Sequence, residues 1–435
     1  MKYRSTLHRS PEVSLRDAVL HGSAPDGGLY MPVEIPHLKE DFLERLSSLT
    51  LPEIALEVGT LFAGDEIPTQ VLRKIVSEAF DFPLPLVTLG ERLHILELFH
   101  GPTLAFKDFG ARFMARLMAY FVQESGKALT VIVATSGDTG SAVAQAFLSV
   151  PGIHVVILYP AGRVSTAQEK QLTTLGQNIT ALEVSGSFDD CQRLAKQALV
   201  DPVVTEKITL TSANSINIAR LIPQSFYYFA AVAQLGRPES LPVFSVPSGN
   251  FGNLTGGLLA KRMGLGVAQF IAPTNANDVV PEFLRSGKLI PRASRHTISN
   301  AMDVGNPSNF ARIVDLYEND LQAIRHDILG CSFSDEQTLR VMHDVEQRHG
   351  YVLDPHTAVG VLGWQTFAKQ NQNAAEGIVL ATAHPAKFAE TVARATGVRP
   401  EMPERLAAFL DRPKKSISFP NRFSELQGFL LSADN

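Results

Sequence analysis

The sequence has very few cysteines and no long apolar run. Its two cysteines, Cys191 and Cys331, lie far apart among 435 residues and form no CxxC pair. This spacing argues against structural zinc and against a disulfide framework, and it favours a reducing, cytoplasmic location. No run of about 18 uncharged apolar residues occurs, so we expect no membrane span. Residues 1–10 are polar and basic, which is not typical of a signal peptide.

Strong charge and a metal-binding pattern are also missing. The chain has 39 Lys and Arg against 44 Asp and Glu, which gives a net charge of −5 and no reason to expect nucleic acid or an anionic membrane as a partner. His343 and His349 form no HExxH pattern, so we expect no metal. A hydrophobic share of 45% and a charged share of 19% are typical of a globular protein.

The sequence has a pattern of predicted helices and strands that changes near residue 93. The first ninety or so residues have helical periodicity with turns between, at 14–21, 40–49 and 70–80. From about residue 93, short apolar runs alternate with helical stretches; the runs are 129–134, 153–159, 179–184, 243–246, 269–272 and 377–381. This alternation predicts an α/β fold of right-handed βαβ units with parallel sheets. Residues 312–350 are predicted to be mostly helical, and the tail after Pro413 irregular.

The loops that follow parallel strands are where ligands bind, and the first candidate is a lysine. Lys107 lies between Phe106 and Phe109, directly before an apolar helix at 111–122. Apolar surroundings and the positive end of the helix both favour a neutral amine, which Schiff-base chemistry requires. The alternative is an ordinary lysine that pairs with Asp108.

Two further loops have small residues and hydroxyls directly after strands. Residues 134–141 (ATSGDTGS) and 245–253 (SVPSGNFGN) each precede a helix, where backbone N–H groups favour an anion. The second is neither a Walker A motif nor a GxGxxG fingerprint, so the phosphate of a smaller cofactor fits better than ATP or NAD. Ordinary helix-capping turns remain the alternative for both.

The last two candidates are weaker alone. In residues 214–220 (NSINIAR), Asn, Ser and Arg side chains together can hold an anion, although Ser or Asn at a helix start is usually a cap. In residues 381–387 (ATAHPAK), Thr382 ends an apolar run, and its hydroxyl could meet a neutral pyridine nitrogen. The alternative there is a plain helix start with proline in the first turn.

Taken together and in order, these segments resemble the threonine synthase family of the longer bacterial and fungal type. The resemblance is carried by LELFHGPTLAFKDFG, ATSGDTG, NSINIAR, VPSGNFGN and TAHPAKF, and also by SLRDAVLHG, DGGLYMP and AMDVGNPSN. It extends from about residue 3 to residue 390. It implies pyridoxal phosphate (PLP) as the cofactor. The implied fold is PLP fold type II, as in tryptophan synthase β-subunits, with two α/β lobes around a cleft and a mostly helical N-terminal domain.

The resemblance also implies domain limits and residue roles. The N-terminal domain would be 1–92, the large lobe 93–126 and 227–435, and the small lobe 127–226. Lys107 matches the Schiff-base lysine. The cofactor would be held by Asp138, Ser248, Gly249, Asn250, Phe251, Gly252, Asn253 and Thr382. The substrate carboxylate matches Thr135, Ser136 and Thr139, and the substrate phosphate matches Asn214, Ser215 and Arg220. Asp138 stands where many relatives have Asn near the cofactor's 3′-oxygen, which leaves open whether it accepts a proton or swings away.

The activity implied is conversion of O-phospho-L-homoserine and water to L-threonine and phosphate, by γ-elimination and β-addition. A PLP lyase that yields 2-oxobutyrate and a catalytically silent paralogue are alternatives. A nucleotide-binding Rossmann protein is disfavoured by the missing GxGxxG. We expect a small-molecule substrate and a monomer or homodimer.

Overall fold

The computed structural model describes residues 1–135, 137–236, 240–371 and 375–432. Within these ranges there are thirteen strands: β1 (Tyr3–Ser5), β2 (Tyr30–Pro32), β3 (Leu86–Gly90), β4 (Leu93–Glu97), β5 (Leu129–Ala134), β6 (Ile153–Pro160), β7 (Ile179–Val184), β8 (Leu210–Ser212), β9 (Val243–Ser245), β10 (Gln269–Thr274), β11 (Ile328–Ser332), β12 (Gly377–Ala381) and β13 (Ile417–Phe419).

Helices make up most of the remaining chain. The α-helices are α1 (Leu15–His21), α2 (Glu40–Arg45), α3 (Leu51–Ala63), α4 (Thr69–Ala79), α5 (Lys107–Ser125), α6 (Asp138–Phe147), α7 (Thr166–Thr173), α8 (Phe188–Val200), α9 (Pro202–Thr205), α10 (Ile218–Leu221), α11 (Pro223–Leu235), α12 (Gly252–Arg262), α13 (Val279–Ser286), α14 (Phe310–Leu316), α15 (Leu321–Asp327), α16 (Asp335–His349), α17 (Pro355–Gln370), α18 (Ala389–Thr396), α19 (Glu404–Leu410) and α20 (Phe423–Ser432). Short 3₁₀ turns cover Leu46–Ser48, Gly64–Glu66, Asn300–Met302 and Pro385–Phe388. In the described part of the chain, no helix is both long and apolar enough to cross a membrane.

Two mainly parallel sheets organise the fold. The larger sheet has six strands in the order β11-β10-β9-β12-β4-β3, and only its edge strand β3 pairs antiparallel. The second sheet has five parallel strands in the order β13-β7-β6-β5-β8. A small antiparallel pair, β1 and β2, belongs to the N-terminal part. The predicted α/β fold with parallel sheets is confirmed.

Residues 312–350 are mostly helical, as predicted, since they hold most of α14 and all of α15 and α16; the strand β11 lies between α15 and α16 and extends the large sheet beside β10. The expectation of an irregular tail after Pro413 was wrong, since β13 pairs with β7 and α20 packs beside α8. The strand β13 therefore lies in the second sheet, although residues 227–435 were expected in the large lobe. The other lobe limits stay a prediction.

The helix that carries the candidate lysine shows why these residues fold as they do. α5 is 19 residues long and ends where Gly126 adopts φ 66°, a left-handed conformation that glycine takes readily. Its buried face includes Phe109, Phe113 and Met114, which pack within the main apolar core. The strands β5, β9 and β12 end at residues 134, 245 and 381, so each leads directly into a predicted ligand loop. The candidate site therefore lies at the carboxyl ends of both sheets.

Candidate active site

The candidate lysine begins α5 in a largely enclosed position. The side chain of Lys107 is 17% exposed, and its Nζ lies 4.0 Å from Asp138 Oδ2 and 4.8 Å from the ring centroid of Phe106. Burial lowers the pKa of Lys107, and Asp138 only partly opposes this effect because the cations Lys387 and Arg220 also lower it. A reactive amine with a depressed pKa is what a Schiff base requires.

The alternative pairing of Lys107 with its neighbour Asp108 does not occur. Asp108 is turned inward, where it accepts hydrogen bonds from Thr103 N at 2.9 Å and from Thr103 Oγ1 at 2.7 Å. A Cβ on Gly101 would lie 2.4 Å from Asp108 Oδ2, so this turn requires glycine. Burial raises the pKa of Asp108, partly offset by the Thr103 hydrogen bonds.

Asp138 has a different and much closer partner, Lys387. Lys387 Nζ lies 2.6 Å from Asp138 Oδ1 and also donates to Thr103 O at 2.9 Å, and its side chain is 0% exposed. Gln168 Nε2 donates to the same Asp138 oxygen at 2.9 Å. Burial by itself would raise the pKa of Asp138, but the Lys387 and Lys107 ammonium groups outweigh it, so the pKa falls well below its ordinary value. Asp138 is therefore an ionised, fixed carboxylate.

The glycine-rich loop between β9 and α12 has the form of an anion cradle. Phe251 adopts φ 62°, an uncommon left-handed conformation for a residue with a Cβ. A Cβ on Gly249 would lie 2.7 Å from Met302 Cα, so the backbone of the loop is tightly covered. The helix α12 starts at Gly252, and its N-terminal N–H groups face this loop. Ser248 Oγ donates to Val246 O and holds the turn.

Asn253, in the first turn of α12, has an unpaired amide. Its Oδ1 accepts hydrogen bonds from the hydroxyls of Tyr227 and Tyr228 at 2.7 and 2.8 Å. Its buried Nδ2 has no hydrogen-bond partner among the described residues. A buried donor without a partner is costly in a protein interior, so it is a good candidate for a ligand contact.

The NSINIAR loop meets the glycine-rich loop directly. Ser215 Oγ accepts from Asn250 Nδ2 at 2.7 Å and from Asn309 Nδ2 at 3.0 Å. Asn214 spans to the end of β5, where its Nδ2 donates to Ala134 O at 2.8 Å. The two anion-binding segments predicted from the sequence therefore share hydrogen bonds.

Arg220 supplies a buried positive charge to this region. Its Nη1 donates to Ala213 O at 2.6 Å, and its Nε lies against Gly110 without a partner in the described chain. Burial lowers the pKa of Arg220 to about 10, so the guanidinium remains charged at neutral pH. None of the hydrogen bonds among described residues uses Nη2, which leaves that nitrogen for an anion.

The remaining described residues of the predicted site, Thr135, Thr139 and Thr382, differ in their surroundings. Thr135 Oγ1 accepts from the N–H groups of Gly137 and Gly140 at 2.9 and 2.8 Å, so its hydroxyl shapes the turn. Thr139 lies partly buried in the first turn of α6. Ser136 lies outside the described residues. Thr382 is buried, its carbonyl accepts from Phe106 N at 2.9 Å, and its hydroxyl takes part in no hydrogen bond within the described ranges.

Sequence reasoning missed three contributors. Lys387 was quoted within TAHPAKF without a role. Asn309 and Arg312, in and just after AMDVGNPSN, bond to the NSINIAR loop: Arg312 Nη1 donates to Ser215 O at 3.0 Å and Nη2 to Ile216 O at 2.6 Å. Only the position of the quoted motifs could have indicated them, because these contacts join residues about a hundred or more positions apart.

The assembled residues fit pyridoxal phosphate. Lys107 supplies an amine with a lowered pKa, and the loop before α12 supplies backbone N–H groups for a phosphate. Thr382 supplies a hydroxyl that is free of protein partners among the described residues, and the buried cations of the site outnumber its buried anions.

A separate cavity of about 350 Å³ lies between the N-terminal helices and α11 and is lined by residues such as Leu49, Phe82 and Ala233. None of the predicted site residues lines it, so we assign it no part in the chemistry. The described residues contain no cluster of three or more His, Cys, Asp or Glu side chains suited to a metal.

Comparison with known proteins agrees with this geometry. The family of pyridoxal-phosphate dependent enzymes matches residues 82–384, the threonine synthase N terminus matches 2–80, and the threonine synthase C-terminal region matches 357–430. A threonine synthase of Haemophilus influenzae is 45% identical, covering 100% of both chains. The chain belongs to the threonine synthase family.

Solved structures of the family show the same fold. The threonine synthase structure from Escherichia coli is 42% identical, with a TM-score of 0.93 over 99% of this chain and 100% of that one. The PLP-bound threonine synthase from Brucella melitensis is 38% identical, with a TM-score of 0.93 over 99% of this chain and 98% of that one. The predicted type II PLP fold, the family and the cofactor are thereby confirmed, and this member of the threonine synthase family is a PLP-dependent enzyme.

Proposed function

We propose that the protein converts O-phospho-L-homoserine and water to L-threonine and inorganic phosphate. The observation that carries the proposal is the contact between two anion-binding segments. Ser215 and Asn250 are joined at 2.7 Å, and buried Arg220, in the same segment as Ser215, carries a charge that helps to lower the pKa of Lys107. One phosphate on the cofactor and one on the substrate account for both segments, whereas a substrate without phosphate needs only the first.

Lys107 is the group that moves protons. Bound PLP supplies an electron sink for carbanion chemistry. Lys107 holds the cofactor and, once released, takes the proton from the substrate's α-carbon as a neutral amine. Its low exposure keeps bulk water from this amine, which protects reactive species during γ-elimination and β-addition.

The glycine-rich loop holds the cofactor's phosphate. Ser248, Gly249, Asn250, Phe251, Gly252 and Asn253 form this loop. The N–H groups at the start of α12 point to the anion, and the unpaired Asn253 Nδ2 supplies a side-chain donor. The hydroxyl of Thr382 would serve the pyridine nitrogen of the bound cofactor. Asp138 would meet the cofactor's 3′-oxygen as a fixed anion, since Lys387 is bonded to it at 2.6 Å.

The substrate is held by two sets of groups. Arg220, Asn214 and Ser215 take its phosphate, and the charge of Arg220 persists because its lowered pKa, about 10, still lies above neutral pH. The carboxylate would be bound by Thr139 and the backbone N–H groups at the start of α6, with Ser136, which the family resemblance implies, as a further donor. Thr135 acts through the shape of that turn, since its hydroxyl already accepts two N–H groups.

Location and assembly complete the proposal. Both cysteines are free, Cys191 buried and Cys331 partly buried, as expected in a reducing cytoplasm. We assign the protein there as a monomer or homodimer that uses no other macromolecule for catalysis.

The test is product analysis with the purified, PLP-loaded protein and O-phospho-L-homoserine. Threonine and phosphate should appear in equal amounts. Phosphate with 2-oxobutyrate identifies a lyase, and a protein with bound PLP but no turnover is a silent paralogue; either result overturns the proposal.

Two variants assign the roles within the site. Lys107→Ala should abolish turnover, while Lys127→Ala, at an exposed position just past α5, serves as the matched control. Arg220→Met keeps the bulk but removes the charge, so it should raise KM for the phosphorylated substrate by at least about 10-fold while leaving PLP affinity nearly unchanged. Equal losses of substrate and cofactor binding contradict the assigned role of Arg220, and Arg340→Ala, on an exposed face of α16, is its control.

A further inference from the structure

Lys387 is the closest charged neighbour of Asp138, which itself lies beside Lys107. The Lys387–Asp138 separation is 2.6 Å and the Lys107–Asp138 separation is 4.0 Å. The two ammonium groups approach different oxygens, Oδ1 and Oδ2. One carboxylate therefore lies between two lysines, and only one of them is close enough for a charge-assisted hydrogen bond.

Lys387 has no freedom to leave this position. Its side chain is 0% exposed and also donates to Thr103 O at 2.9 Å. Thr103 in turn is bonded to buried Asp108 at 2.7 Å. The 3₁₀ turn Pro385–Phe388 that carries Lys387 follows β12 and Thr382 directly, so the large sheet fixes where the ammonium lies.

The charged groups around Lys107 decide whether its amine is protonated. Asp138 on α6 and Asp108 on its own helix favour the ammonium form, whereas Lys387 and Arg220 disfavour it. Without Lys387, a buried and ionised Asp138 would have Lys107 as its nearest available cation. A buried unpaired carboxylate is strongly unfavourable, so a small rotation of the Lys107 side chain would close that pair and hold the amine protonated.

We infer that Lys387 is a positioning residue that keeps Asp138 ion-paired away from Lys107, so that Lys107 meets the cofactor as a free, neutral amine. The inference rests on the proposed role of Lys107 but not on the identity of the substrate. The Lys387–Asp138 pair is neutral as a unit, so removing one member leaves a charge beside Lys107, and removing both restores neutrality.

Four variants of the PLP-free protein test this: Lys387→Met, Asp138→Asn, the double variant, and the conservative Lys387→Arg. The readout is the pH dependence of Lys107 modification by an amine-reactive reagent, measured by peptide mass spectrometry. A second readout is the rate at which added PLP develops its visible absorbance. Lys127, exposed in the same protein, provides an internal reference for reagent reactivity.

The two single variants that remove a charge, Lys387→Met and Asp138→Asn, should change the reactivity of Lys107 in opposite directions. Lys387→Met should slow labelling and PLP capture near neutral pH by about 10-fold, because a protonated Lys107 does not react as a nucleophile. Asp138→Asn should speed labelling, since the attraction is lost and the repulsion from Lys387 remains. The double variant should return close to the parent rate, and Lys387→Arg should stay close to it.

The same measurements can overturn the inference. A double variant as slow as Lys387→Met means that Lys387 acts only through local structure. If Lys387→Met does not fold, Asp138→Asn alone decides, because the Asn side chain retains the shape and the Gln168 contact; slower or unchanged labelling then refutes the inference. Neither result depends on whether threonine is formed, so the outcome stays separate from that of the proposed function.

Discussion

Adding one methyl group at Gly249 should disturb the cofactor loop through backbone contact alone. A Cβ there would lie 2.7 Å from Met302 Cα, 3.0 Å from Ala301 O and 3.3 Å from Met302 C. Gly249 is not at positive φ, so alanine is allowed by its backbone conformation and the effect is purely steric. The loop or the 3₁₀ turn Asn300–Met302 has to move.

The 3₁₀ turn Asn300–Met302 is fixed by hydrogen bonds to buried side chains. Ala301 N donates to His356 Nε2 at 3.2 Å, and His356 Nδ1 is bonded to Asp354 at 2.7 Å, with both side chains buried. Overpacking against such fixed atoms costs about 1–3 kcal/mol. If the loop shifts to relieve the strain, the cost appears in cofactor affinity, as a roughly 5- to 150-fold higher Kd for PLP. If it does not shift, the cost appears in the unfolding free energy.

The assay for Gly249→Ala therefore measures both quantities: PLP affinity by equilibrium titration, and the stability of the PLP-free protein by denaturant unfolding. The matched control is Gly428→Ala on α20, where a Cβ meets nothing within 4 Å. The control should leave PLP affinity unchanged and gain up to about 1 kcal/mol of stability from helix propensity. If Gly249→Ala changes neither quantity, the loop is not clamped by residues 301 and 302 and the reasoning fails.

Two further predictions concern buried ionisable groups. Burial raises the pKa of both thiols, Cys191 and Cys331, to about 12. Near neutral pH this lowers their thiolate fraction by about three orders of magnitude, so both should react with a thiol reagent only after unfolding, and rapid reaction of the folded protein contradicts this. For Asp108, burial raises the pKa despite the Thr103 hydrogen bonds, so the folded state binds that proton more tightly than the unfolded state. Its contribution therefore favours folding in acid and is lost as the pH rises through the folded pKa. Asp108→Asn should gain stability relative to the parent as the pH rises above the ordinary aspartate pKa of about 3.9, as measured by denaturant unfolding, and a difference that does not vary with pH refutes the assignment.

Continuous apolar runs made the central strands predictable. The runs at 129–134 and 377–381 coincide with β5 and β12 residue for residue. By contrast, α17 was missed because it contains two glycines and is buried around most of its circumference, so it has no polar face to mark its period. β13 is three residues long and gains its structure only by pairing with β7. Helix α3 was also missed, although the capping box of Thr50 and Glu53 marks its start.

The site was predictable where chemistry follows a strand directly, and not where it depends on contacts across the chain. Lys107 and the loop 248–253 were found because small residues and an isolated lysine sit at the start of helices. No local pattern predicts that Lys387 neutralises Asp138, since the two are far apart in sequence and meet only once both sheets are formed. The sequence also left open whether Asp138 accepts a proton. That depends on the contact with Lys387, which keeps the carboxylate ionised and which no local pattern predicts.

The N-terminal part of the chain makes hydrogen bonds that help to position the candidate site. Arg312 is 0% exposed, and all five of its N–H groups are used: on Tyr30 O in β2, on the carbonyls of Ser215 and Ile216, and on Asn309 Oδ1. No carboxylate contacts this guanidinium in the described structure, so its charge is spread over peptide dipoles and adds to the positive potential near Ser215.

A second tie joins α1 to the same loop. Asn217 Nδ2 donates to Val19 O at 2.8 Å and to Ser212 O at 3.2 Å, while its Oδ1 caps α10 through Ala219 N at 3.0 Å. α10 carries Arg220, so α1 and β2 together fix both ends of the segment that is proposed to bind the substrate's phosphate. Since these ties end on backbone carbonyls, many side-chain sequences in the N-terminal part can satisfy them, but removing that part would leave Arg312 and Asn217 with unpaired buried donors. Within the N-terminal part, α1 and β2 therefore support the anion pocket through the backbone carbonyls of Val19 and Tyr30.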